Sequence, residues 1–491
     1  MSTVDVVTVN PDRADDERAE RPEPAGAPGT SALWGAQTEL AILNFPISGR
    51  RFPIDVIIWL AKIKRSGALV NHDLGLISGE FSEAIVRAAD QIIARHHDDQ
   101  FPVDVFQTGS GTSSNMNVNE VIAALAGGVV HPNDHVNLGQ SSNDVVPTAV
   151  RLAACAAITG RLLPALGSLT DALHRKADEF AHIVAPGRTH LMDAVPVLLG
   201  DEFSGFATQL HECIEQLQFS RTALARVPLG GTAVGNGLGT HPDFAHRVLA
   251  TFDVAELGTE PTCFGRTADR IARQGGHDAL AAASGALSTT AVALTKICND
   301  LRWMSSGPST GLAQITLPSL QKGSSIMPGK VNPVLPEVVV QVAAQVIGNH
   351  TAITVAAMQG NFELNVTIPV IALNLLESID LLSNGSSALA EKCVDGIVAD
   401  ADRCRALALR SPALATALNP LLGYDRVEAI VKHASSDDLS IRDAAVDLGV
   451  DAEVADQTLD VDQIARGITD SPPVKPTPNP PGETSTTPGT S

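Results

Sequence analysis

Apolar side chains recur at intervals of three and four residues through much of the chain, a spacing that places them on one face of an α-helix. The pattern continues without interruption over three long stretches, residues 151–226, 270–304 and 333–358. Helices of this length bury a continuous apolar stripe only when other helices pack beside them. The pattern therefore predicts an all-α protein whose long helices form a bundle.

Short polar segments rich in Gly, Ser, Thr and Asn separate or precede the helical stretches. These segments are residues 107–117, 131–134, 140–144, 230–239 and 323–333. A linker needs only small residues, yet these segments also contain hydroxyl and amide side chains together with His131 and Lys330. Such groups donate the hydrogen bonds that a carboxylate ligand accepts. The segments therefore indicate a binding site for a small anion.

The chain has 491 residues, which is more than one ordinary core accommodates, so we expect several domains or a larger assembly. Hydrophobic residues make up 44% and aromatic residues only 3%, which favours closely packed helices over a β-sandwich. The predicted division is a disordered extension over 1–30, an N-terminal domain over 31–150, a central helical-bundle domain over 151–401, a small C-terminal helical domain over 402–470, and a disordered Pro/Thr-rich tail over 471–491.

The formal net charge of -21 argues against a nucleic-acid or membrane-surface partner, because both require a concentrated basic surface and the chain has no dense Lys/Arg cluster. A few local cations and backbone N–H groups still suffice to bind a small anion at short range. The charge therefore excludes macromolecular polyanions and leaves an anionic substrate possible.

Several features predict a cytoplasmic protein. The six cysteines lie singly, without the CxxC spacing of metal or iron–sulfur sites, and are expected to be reduced thiols. Residues 1–30 contain no apolar segment behind a basic start, so no secretory signal is expected. Residues 279–295 are uncharged and approach the length of a membrane span, but six of them are Ser, Thr or Gly. We interpret this stretch as a buried bundle helix.

The most specific chemical motif is GSSIMPGKVNP at 323–333. It differs from a nucleotide-binding P-loop, because five residues separate Gly323 from Gly329 where that motif needs four, and Val331 occupies the position of its Mg²⁺-binding Ser or Thr. We interpret it instead as a glycine-bounded loop that brings Ser324 to a substrate carbon and Lys330 to a carboxylate.

This loop is similar to the signature of the fumarase/aspartase superfamily, which includes argininosuccinate and adenylosuccinate lyases. Further segments resemble class II fumarases, namely LWGAQT at 33–38, HDDQFPVDVFQTGSGTSSNMNVNE at 97–120, VHPND at 130–134, QSSND at 140–144, GRTHLMDAVP at 187–196 and GNFELNV at 360–366. Aspartases usually have STND where this chain has SSND. The resemblance extends from about residue 33 to residue 424.

The resemblance implies the reversible hydration of fumarate to L-malate, a reaction of the tricarboxylic acid cycle, by anti addition and elimination without a cofactor or metal. It implies a homotetramer in which long helices form a shared bundle. Each active site would then be built from three regions that belong to three different subunits. The expected partner is a small dicarboxylate, and isolated subunits are expected to be inactive.

The family's functional positions transfer to matching residues of this chain. Ser324 is the expected base, His190 the second catalytic residue, Glu337 its orienting partner, and Lys330 a stabiliser of the Ser324 alkoxide. The residues expected to bind the substrate carboxylates are Ser110, Gly111, Thr112, Ser141, Ser142, Asn143, Thr189, Ser325, Lys330 and Asn332. His131, Asn133 and Asp134 resemble a second dicarboxylate site. Several of the hydroxyl and amide residues could equally act as helix caps or in turns.

Some positions depart from what fumarases usually have. Leu40 replaces an arginine, Asn236 and Gly239 alter the 230–239 loop, and CFGRTADRIA at 263–272 adds arginines. The alternatives to fumarate hydration are therefore an aspartate ammonia-lyase, a lyase for another substituted succinate, and a catalytically silent structural relative. The SSND, WGAQT and GNFELNV segments count against the ammonia-lyase, and the intact catalytic positions count against the silent relative.

Overall fold

The computed structural model describes residues 32–468. The segments predicted to be disordered, 1–30 and 471–491, lie outside these residues. Within the described range the chain is predominantly helical, with a few short strand pairs, and the predicted all-α fold class is confirmed.

The first part of the described chain forms a compact group of helices. They are α1 (Ala36–Asn44), α2 (Ile54–Asp73), α3 (Gly79–Ile93), α4 (Thr112–Leu125) and α5 (Ser142–Ala157). Two short turns, the 3-10 helix Asp98–Gln100 and the π-helix Pro132–Val136, connect them. α2 packs against α3, α4 and α5, and so supports the helices that follow the two polar segments.

A β-hairpin interrupts the stretch that was predicted to be helical over 151–226, so that prediction is wrong. α5 continues through the π-helical turn Ile158–Leu162 into α6 (Leu163–Glu179), and the chain then forms β1 (Val184–Thr189) and β2 (Met192–Leu198) before α7 (Leu199–Leu224). Pro186 and Pro196 lie opposite each other in the hairpin. Proline lacks the N–H that a helix interior requires, which explains why the apolar periodicity does not produce a helix here.

The rest of the central region alternates short elements with long helices. In chain order these are β3 (Arg226–Val227), α8 (Phe244–Leu249), α9 (Val254–Leu257), β4 (Thr262–Cys263), α10 (Thr267–Gly275), α11 (Asp278–Met304), β5 (Ile315–Thr316), α12 (Val334–Ala357), β6 (Gly360–Asn361), β7 (Leu364–Asn365), α13 (Ile368–Lys392) and β8 (Val398–Ala399). β3 pairs with β4 in parallel, while β5 pairs with β8 and β6 with β7 antiparallel.

Two of the predicted helical stretches lie in this region. The stretch 270–304 is two helices, because an extended residue, Gly276, ends α10 before α11 begins. The stretch 333–358 is a single helix, α12, as predicted. The helix α13, of similar length, was not predicted.

The main core lies between the long helices. On α11, Leu280, Leu287, Leu294 and Leu301 recur every seven residues and are fully buried or nearly so. α11 packs against α7 and α12, α12 packs against α13, and α6 packs against α7 and α13. A seven-residue apolar repeat is typical of helices that pack side by side at a shallow angle. The predicted bundle is therefore present within one chain.

Three helical segments are long and apolar enough to cross a membrane by length and composition, namely Ser142–Glu179, Asp278–Met304 and Val334–Ala357. Here they are helices of the bundle. In their most apolar windows 56%, 50% and 28% of the residues are buried within the chain, so α12 has the smallest share of fully buried residues.

The C-terminal part forms a second, smaller core. Its helices are α14 (Ala401–Arg410), α15 (Asn419–Leu422), α16 (Tyr424–Asp437), α17 (Ile441–Asp447), α18 (Ala452–Thr458) and α19 (Val461–Ala465), with the 3-10 helix Pro412–Leu418. Val184 and Leu198, at the base of the hairpin, contribute to this core. We propose that residues from 402 onward form a small separate domain, and that the hairpin is fixed to it.

Glu120 on α4 fixes the position of α1. Its carboxylate accepts hydrogen bonds from the backbone N–H groups of Gly35, Gln37 and Thr38 at 3.0 to 3.1 Å, and from the Thr38 hydroxyl at 2.6 Å. The first N–H groups of a helix have no partner within the helix, so this carboxylate serves as the cap of α1.

We expect Glu120→Gln to lower the free energy of unfolding by about 2 to 4 kcal/mol, because one side of the amide cannot accept and several buried donors lose their partner. Thermal and denaturant unfolding measure the change. The matched control is Glu83→Gln, which removes the charge of an exposed glutamate on α3 whose partner Arg87 is 3.5 Å away. Equal stability of the two variants would contradict this role for Glu120.

Candidate active site

The loop 107–111 brings Ser110, Gly111 and Thr112 to the start of α4. Gly111 has a left-handed backbone (φ 75°), and a side chain on it would press against Val146 of α5. The hydroxyls of Ser110 and Thr112 are 2.6 Å apart. Glycine is required for this turn both by its backbone angle and by the approach of α5. The turn places two hydroxyls beside the unpartnered N–H groups of a helix N-terminus, a suitable environment for an anion.

The residues 141–144 cap the neighbouring helix α5. Ser141 Oγ accepts the Asn143 N–H at 3.3 Å, and the Asp144 carboxylate accepts the Ser141 N–H at 2.9 Å. Ser141 therefore acts as the N-cap of α5, a role that serine commonly has directly before a helix. Ser142, in the first turn, and Asn143 are only partly buried, so their side chains can reach a ligand.

Asp144 also connects α5 to the 230–239 loop. Its second carboxylate oxygen accepts the N–H groups of Gly230 and Thr232, both at 3.0 Å, and Asn143 donates to the Ala233 carbonyl at 2.9 Å. Burial raises the pKa of Asp144 to about 6, and the three backbone N–H donors oppose that increase. The backbone donors favour the ionised carboxylate, which joins the start of α5 to the 230–239 loop.

A buried lysine lies beneath these segments. Lys64 on α2 has no exposed surface, and its Nζ donates to Asn137 Oδ1 at 2.6 Å. Asn115 on α4 donates to the same oxygen at 3.3 Å and to Ser142 Oγ at 3.2 Å. Burial lowers the pKa of Lys64 to about 7, while the negative charge of Asp144 acts in the opposite direction.

His190 and Thr189 lie at the tip of the β1–β2 hairpin and are exposed. The two turn residues, His190 and Leu191, both have left-handed backbones, at φ 56° and 60°. Residues other than glycine adopt this conformation at an energetic cost, and such strain concentrates at functional sites. Below the tip, Arg188 donates to the buried Gln314 at 2.6 Å, which holds the hairpin against the segment that precedes β5.

The motif loop 323–333 closes on itself. The Gly323 N–H donates to the Lys330 carbonyl at 3.0 Å, and Asn332 Nδ2 donates to the Gly323 carbonyl at 2.7 Å. A side chain at residue 323 would overlap the Lys330 carbonyl oxygen, which explains the glycine at this position.

Inside this loop Ser324 Oγ accepts two backbone N–H groups, from Met327 at 3.0 Å and from Ile326 at 3.3 Å. Two N–H dipoles directed at one oxygen stabilise negative charge on it. Ser325 and Lys330 are exposed, while Ser324, Asn332 and Glu337 are partly buried. Glu337 lies in the first turn of α12, and within the described part of a single chain it forms no ion pair with His190.

Asn133 and Asp134 lie on the short helix Pro132–Val136, His131 is its N-cap, and all three are exposed. The Asp134 N–H donates to His131 Nδ1 at 3.1 Å, and the His131 N–H donates to His135 Nδ1 at 2.8 Å. The first bond involves the His131 ring, and the second involves the His135 ring. Within residues 32–468 no three His, Cys, Asp or Glu side chains cluster closely enough to hold a metal ion.

The predicted residues therefore fall into separate groups within one chain. The residues around the starts of α4 and α5 lie together, since Asn115 links to Ser142 and Gly111 contacts Val146. The hairpin packs through its strands against the C-terminal helices, with its tip exposed, and the motif loop precedes α12 in the bundle. Lys64, Asn115, Asn137 and Asp144 were not predicted as functional residues. For Lys64 the available signal was its position on the apolar face of α2, four residues from both Leu60 and Ala68.

Two of the departures from the usual fumarase sequence, the 263–272 stretch and the 230–239 loop, lie together. α10, within the altered stretch, packs against the 230–239 loop, where a side chain at residue 237 would contact the guanidinium of Arg270. Arg270 donates to the Phe264 carbonyl at 2.7 Å, and Arg273 stacks over the Phe264 ring and pairs with Asp278. Arg266 is exposed at the start of α10. Leu40, on α1, is exposed as well.

Comparison with family models identifies the architecture. The model described as Lyase matches residues 27–348, and that described as Fumarase C C-terminus matches residues 414–466. The chain belongs to the fumarase/aspartase family of lyases. The predicted resemblance is confirmed, and the first match covers all the groups described above.

Named relatives place the chain in the class II branch of this lyase family. The class II fumarate hydratase of Mycobacterium tuberculosis is 52% identical over 444 residues, which cover 89% of this chain and 93% of that protein. That of Xylella fastidiosa is 51% identical over 407 residues, which cover 82% and 85%. Both names describe hydro-lyases, so the comparisons favour the predicted enzyme class.

Solved structures of the lyase family have the same fold. A class II fumarase from Schistosoma mansoni superposes with a TM-score of 0.85 at 37% identity, over 89% of this chain and 96% of that one. A fumarate lyase:delta crystallin from Brucella melitensis, described as bound to cobalt, superposes with a TM-score of 0.83 at 42% identity, over 88% and 96%.

The closed motif loop generates a prediction about local dynamics. We expect Gly323→Ala to break the Gly323 to Lys330 hydrogen bond, because the added methyl overlaps the Lys330 carbonyl oxygen. Amide hydrogen exchange over residues 323–332 should then become faster, while the long helices keep their protection. Gly160→Ala is the matched control, since a methyl there meets no other atom. Unchanged exchange in the loop of the Gly323 variant would show that this closure does not hold the loop.

Proposed function

We propose that this chain catalyses the reversible hydration of fumarate to L-malate. The observation that carries the proposal is the environment of Ser324, whose oxygen accepts two backbone N–H groups inside a glycine-closed loop that also contains Lys330. The relatives named as class II fumarate hydratases support the same reaction.

In the elimination direction, Ser324 would remove the proton from the carbon beside a carboxylate. A serine hydroxyl is ordinarily far too weak an acid to lose its own proton, so its alkoxide has to be stabilised. The N–H groups of Ile326 and Met327 supply fixed dipoles for this purpose, and the Lys330 ammonium supplies a positive charge in the same loop. In the hydration direction, Ser324 returns the proton to carbon.

His190 would act on the opposite face of the substrate. Anti addition requires the groups that handle the proton and the water to lie on opposite sides of the double bond. His190 at the hairpin tip would activate the attacking water and, in reverse, assist the departure of the hydroxide. We propose that Glu337 of another subunit orients and charge-pairs His190, since the two residues lie on different elements of one chain.

The substrate carboxylates would be bound by hydroxyls, amides and one ammonium. The proposed set is Ser110, Gly111, Thr112, Ser141, Ser142, Asn143, Thr189, Ser325, Lys330 and Asn332. Of these, Ser141 already accepts the Asn143 N–H as a cap, so its hydroxyl hydrogen remains free for a carboxylate. We also propose that His131, Asn133 and Asp134 bind a second dicarboxylate.

We propose a homotetramer in which three subunits contribute to each site. The exposed apolar side chains of α12 support this, because Val338, Ile347 and Val355 would be covered by further helices packed against it. Phe219 on α7 is 79% exposed and Val355 on α12 is 55% exposed. We place this assembly in the cytoplasm, where the six unpaired thiols stay reduced.

A lyase acting on a different substituted succinate is the second candidate. The position of Arg270 favours it. Arg270 lies against the 230–239 loop, and the Ala233 carbonyl of that loop accepts a hydrogen bond from Asn143. A cation there could select a substituent with its own negative charge.

A single assay discriminates between these functions. Purified protein is mixed with fumarate, and the loss of fumarate is followed by its ultraviolet absorbance, first in water alone and then with ammonia. We expect loss in water alone. Loss only with ammonia would indicate an ammonia-lyase. No loss in either case would reject both the hydratase and the ammonia-lyase. A panel of substituted succinates then tests the lyase for a different substituted succinate.

We expect Ser324→Ala to abolish fumarate hydration while the assembly persists, because the base is removed and little packing changes. Turnover and size-exclusion chromatography measure the two outcomes. Ser319→Ala, an exposed serine of the same loop region, serves as the matched control and should keep near-normal activity. Near-normal turnover by the Ser324 variant would refute its assignment as the base.

We expect His190→Asn to retain the fold and to lower kcat by a factor of ~10² to 10⁴, the usual contribution of general acid–base catalysis. Steady-state kinetics in the hydration direction measure the change. The control is His182→Asn, an exposed histidine just before β1. A kcat close to that of the unaltered enzyme would exclude His190 from the chemical step.

A further inference from the structure

Lys64 is a fully buried basic side chain outside the proposed catalytic set. It lies in the middle of α2, and in the described part of the chain no carboxylate forms an ion pair with it. The nearby Asp144 is already bonded to the N–H groups of Ser141, Gly230 and Thr232. A buried ammonium without an ion-pair partner is costly, so its retention beneath the substrate loops calls for a specific role.

The hydrogen bonds that start at Lys64 have a defined direction. An ammonium has three donors and no acceptor, so the atom of Asn137 that faces Lys64 must be its oxygen. Asn137 Nδ2 donates to the Gln140 carbonyl at 3.1 Å, which is consistent with the same orientation. Asn115 must then present its NH₂ group to Asn137 Oδ1, because the opposite orientation would bring two oxygens together.

The orientation of Asn115 determines what Ser142 can do. The Asn115 NH₂ group also donates to Ser142 Oγ, so this hydroxyl oxygen acts as an acceptor toward the interior. Its single hydrogen is therefore free to point outward, toward a ligand. If Asn115 presented its oxygen instead, the Ser142 hydroxyl would donate inward and would offer a ligand only lone pairs.

We propose that Lys64 is a positioning residue that acts through Asn137 and Asn115 to keep the Ser142 hydroxyl as a donor to a substrate carboxylate. This inference rests on the proposed function in one respect, namely that the site binds a dicarboxylate. We call the hydrogen bonds that link Lys64, Asn137, Asn115 and Ser142 the Lys64 series. The positive charge of Lys64 also polarises each bond of this series toward donation to an anion. Burial lowers the pKa of Lys64, while the Asp144 carboxylate favours its charged form.

The test compares Lys64→Met, of similar length but uncharged, with Lys62→Met on the same helix. Lys62 is partly exposed and pairs with Glu256 at 2.5 Å. The dissociation constant for succinate, an unreactive dicarboxylate, is measured by calorimetry, and kcat and KM are measured with fumarate. We expect Lys64→Met to raise the dissociation constant and KM on the order of tenfold, with kcat changed much less. Lys62→Met should change none of the three.

A double variant separates this role from a merely structural one. If Lys64 acts through Ser142, the Lys64→Met/Ser142→Ala protein should bind succinate about as weakly as the weaker of the two single variants. Multiplicative losses would overturn the proposal, as would unchanged succinate binding by a folded Lys64→Met protein. Where Lys64→Met fails to fold, Asn115→Ala interrupts the same series with Lys64 in place. It should reproduce the loss of affinity, and normal affinity would overturn the proposal.

The same measurements distinguish this inference from the proposed function. Wild-type protein that binds succinate without hydrating fumarate would reject the hydratase reaction, and the variants would still test the Lys64 series through binding alone.

Discussion

The packing of α11, α12 and α13 is the constraint on which the rest of the structure depends. These helices lie side by side, and the seven-residue leucine repeat of α11 fills the space between them. The space between these helices is filled mainly by apolar side chains, with a few buried polar ones such as Asn349 and Ser378. The motif loop precedes α12, and the polar loops of α4 and α5 lie on a separate group of helices. The bundle therefore keeps the chemical groups of one chain apart.

Buried charges hold the loops that the apolar core cannot reach. Glu120 caps α1 through three backbone N–H groups, and Asp144 connects α5 to the 230–239 loop through two more while it also accepts the Ser141 N–H. Lys64 instead donates a hydrogen bond, to the amide oxygen of Asn137. In each case one ionic side chain meets backbone or amide groups rather than an opposite charge. Such bonds are directional, so they define loop geometry more closely than apolar contacts do.

The sequence allowed the fold class, the long helix α12 and the motif loop to be predicted, because each depends on local order along the chain. The hairpin 184–198 was missed because its apolar residues also match a helical period, and only the cross-strand pairing of Pro186 with Pro196 resolves the ambiguity. Lys64 was missed for a different reason. A lysine is ordinarily expected at the surface. The burial of Lys64 depends on Asn137 and Asn115, which are about fifty or more residues away along the chain and approach Lys64 only when the chain is folded.

The proposed base and most of the departures from the usual fumarase sequence are located on different segments, and this affects how the family could change its specificity. The Ser324 oxygen and its two N–H donors belong to one short loop, so the base can be preserved while other segments vary. The unusual residues of this chain lie instead on α10 and the 230–239 loop, which contact each other and reach Asn143 through the Ala233 carbonyl. Because Asn143 is a proposed carboxylate ligand, a change in α10 can move that ligand without altering the base. The arginines of α10 are therefore in a position to modify which dicarboxylate the proposed site binds while leaving the proposed proton transfer at Ser324 intact.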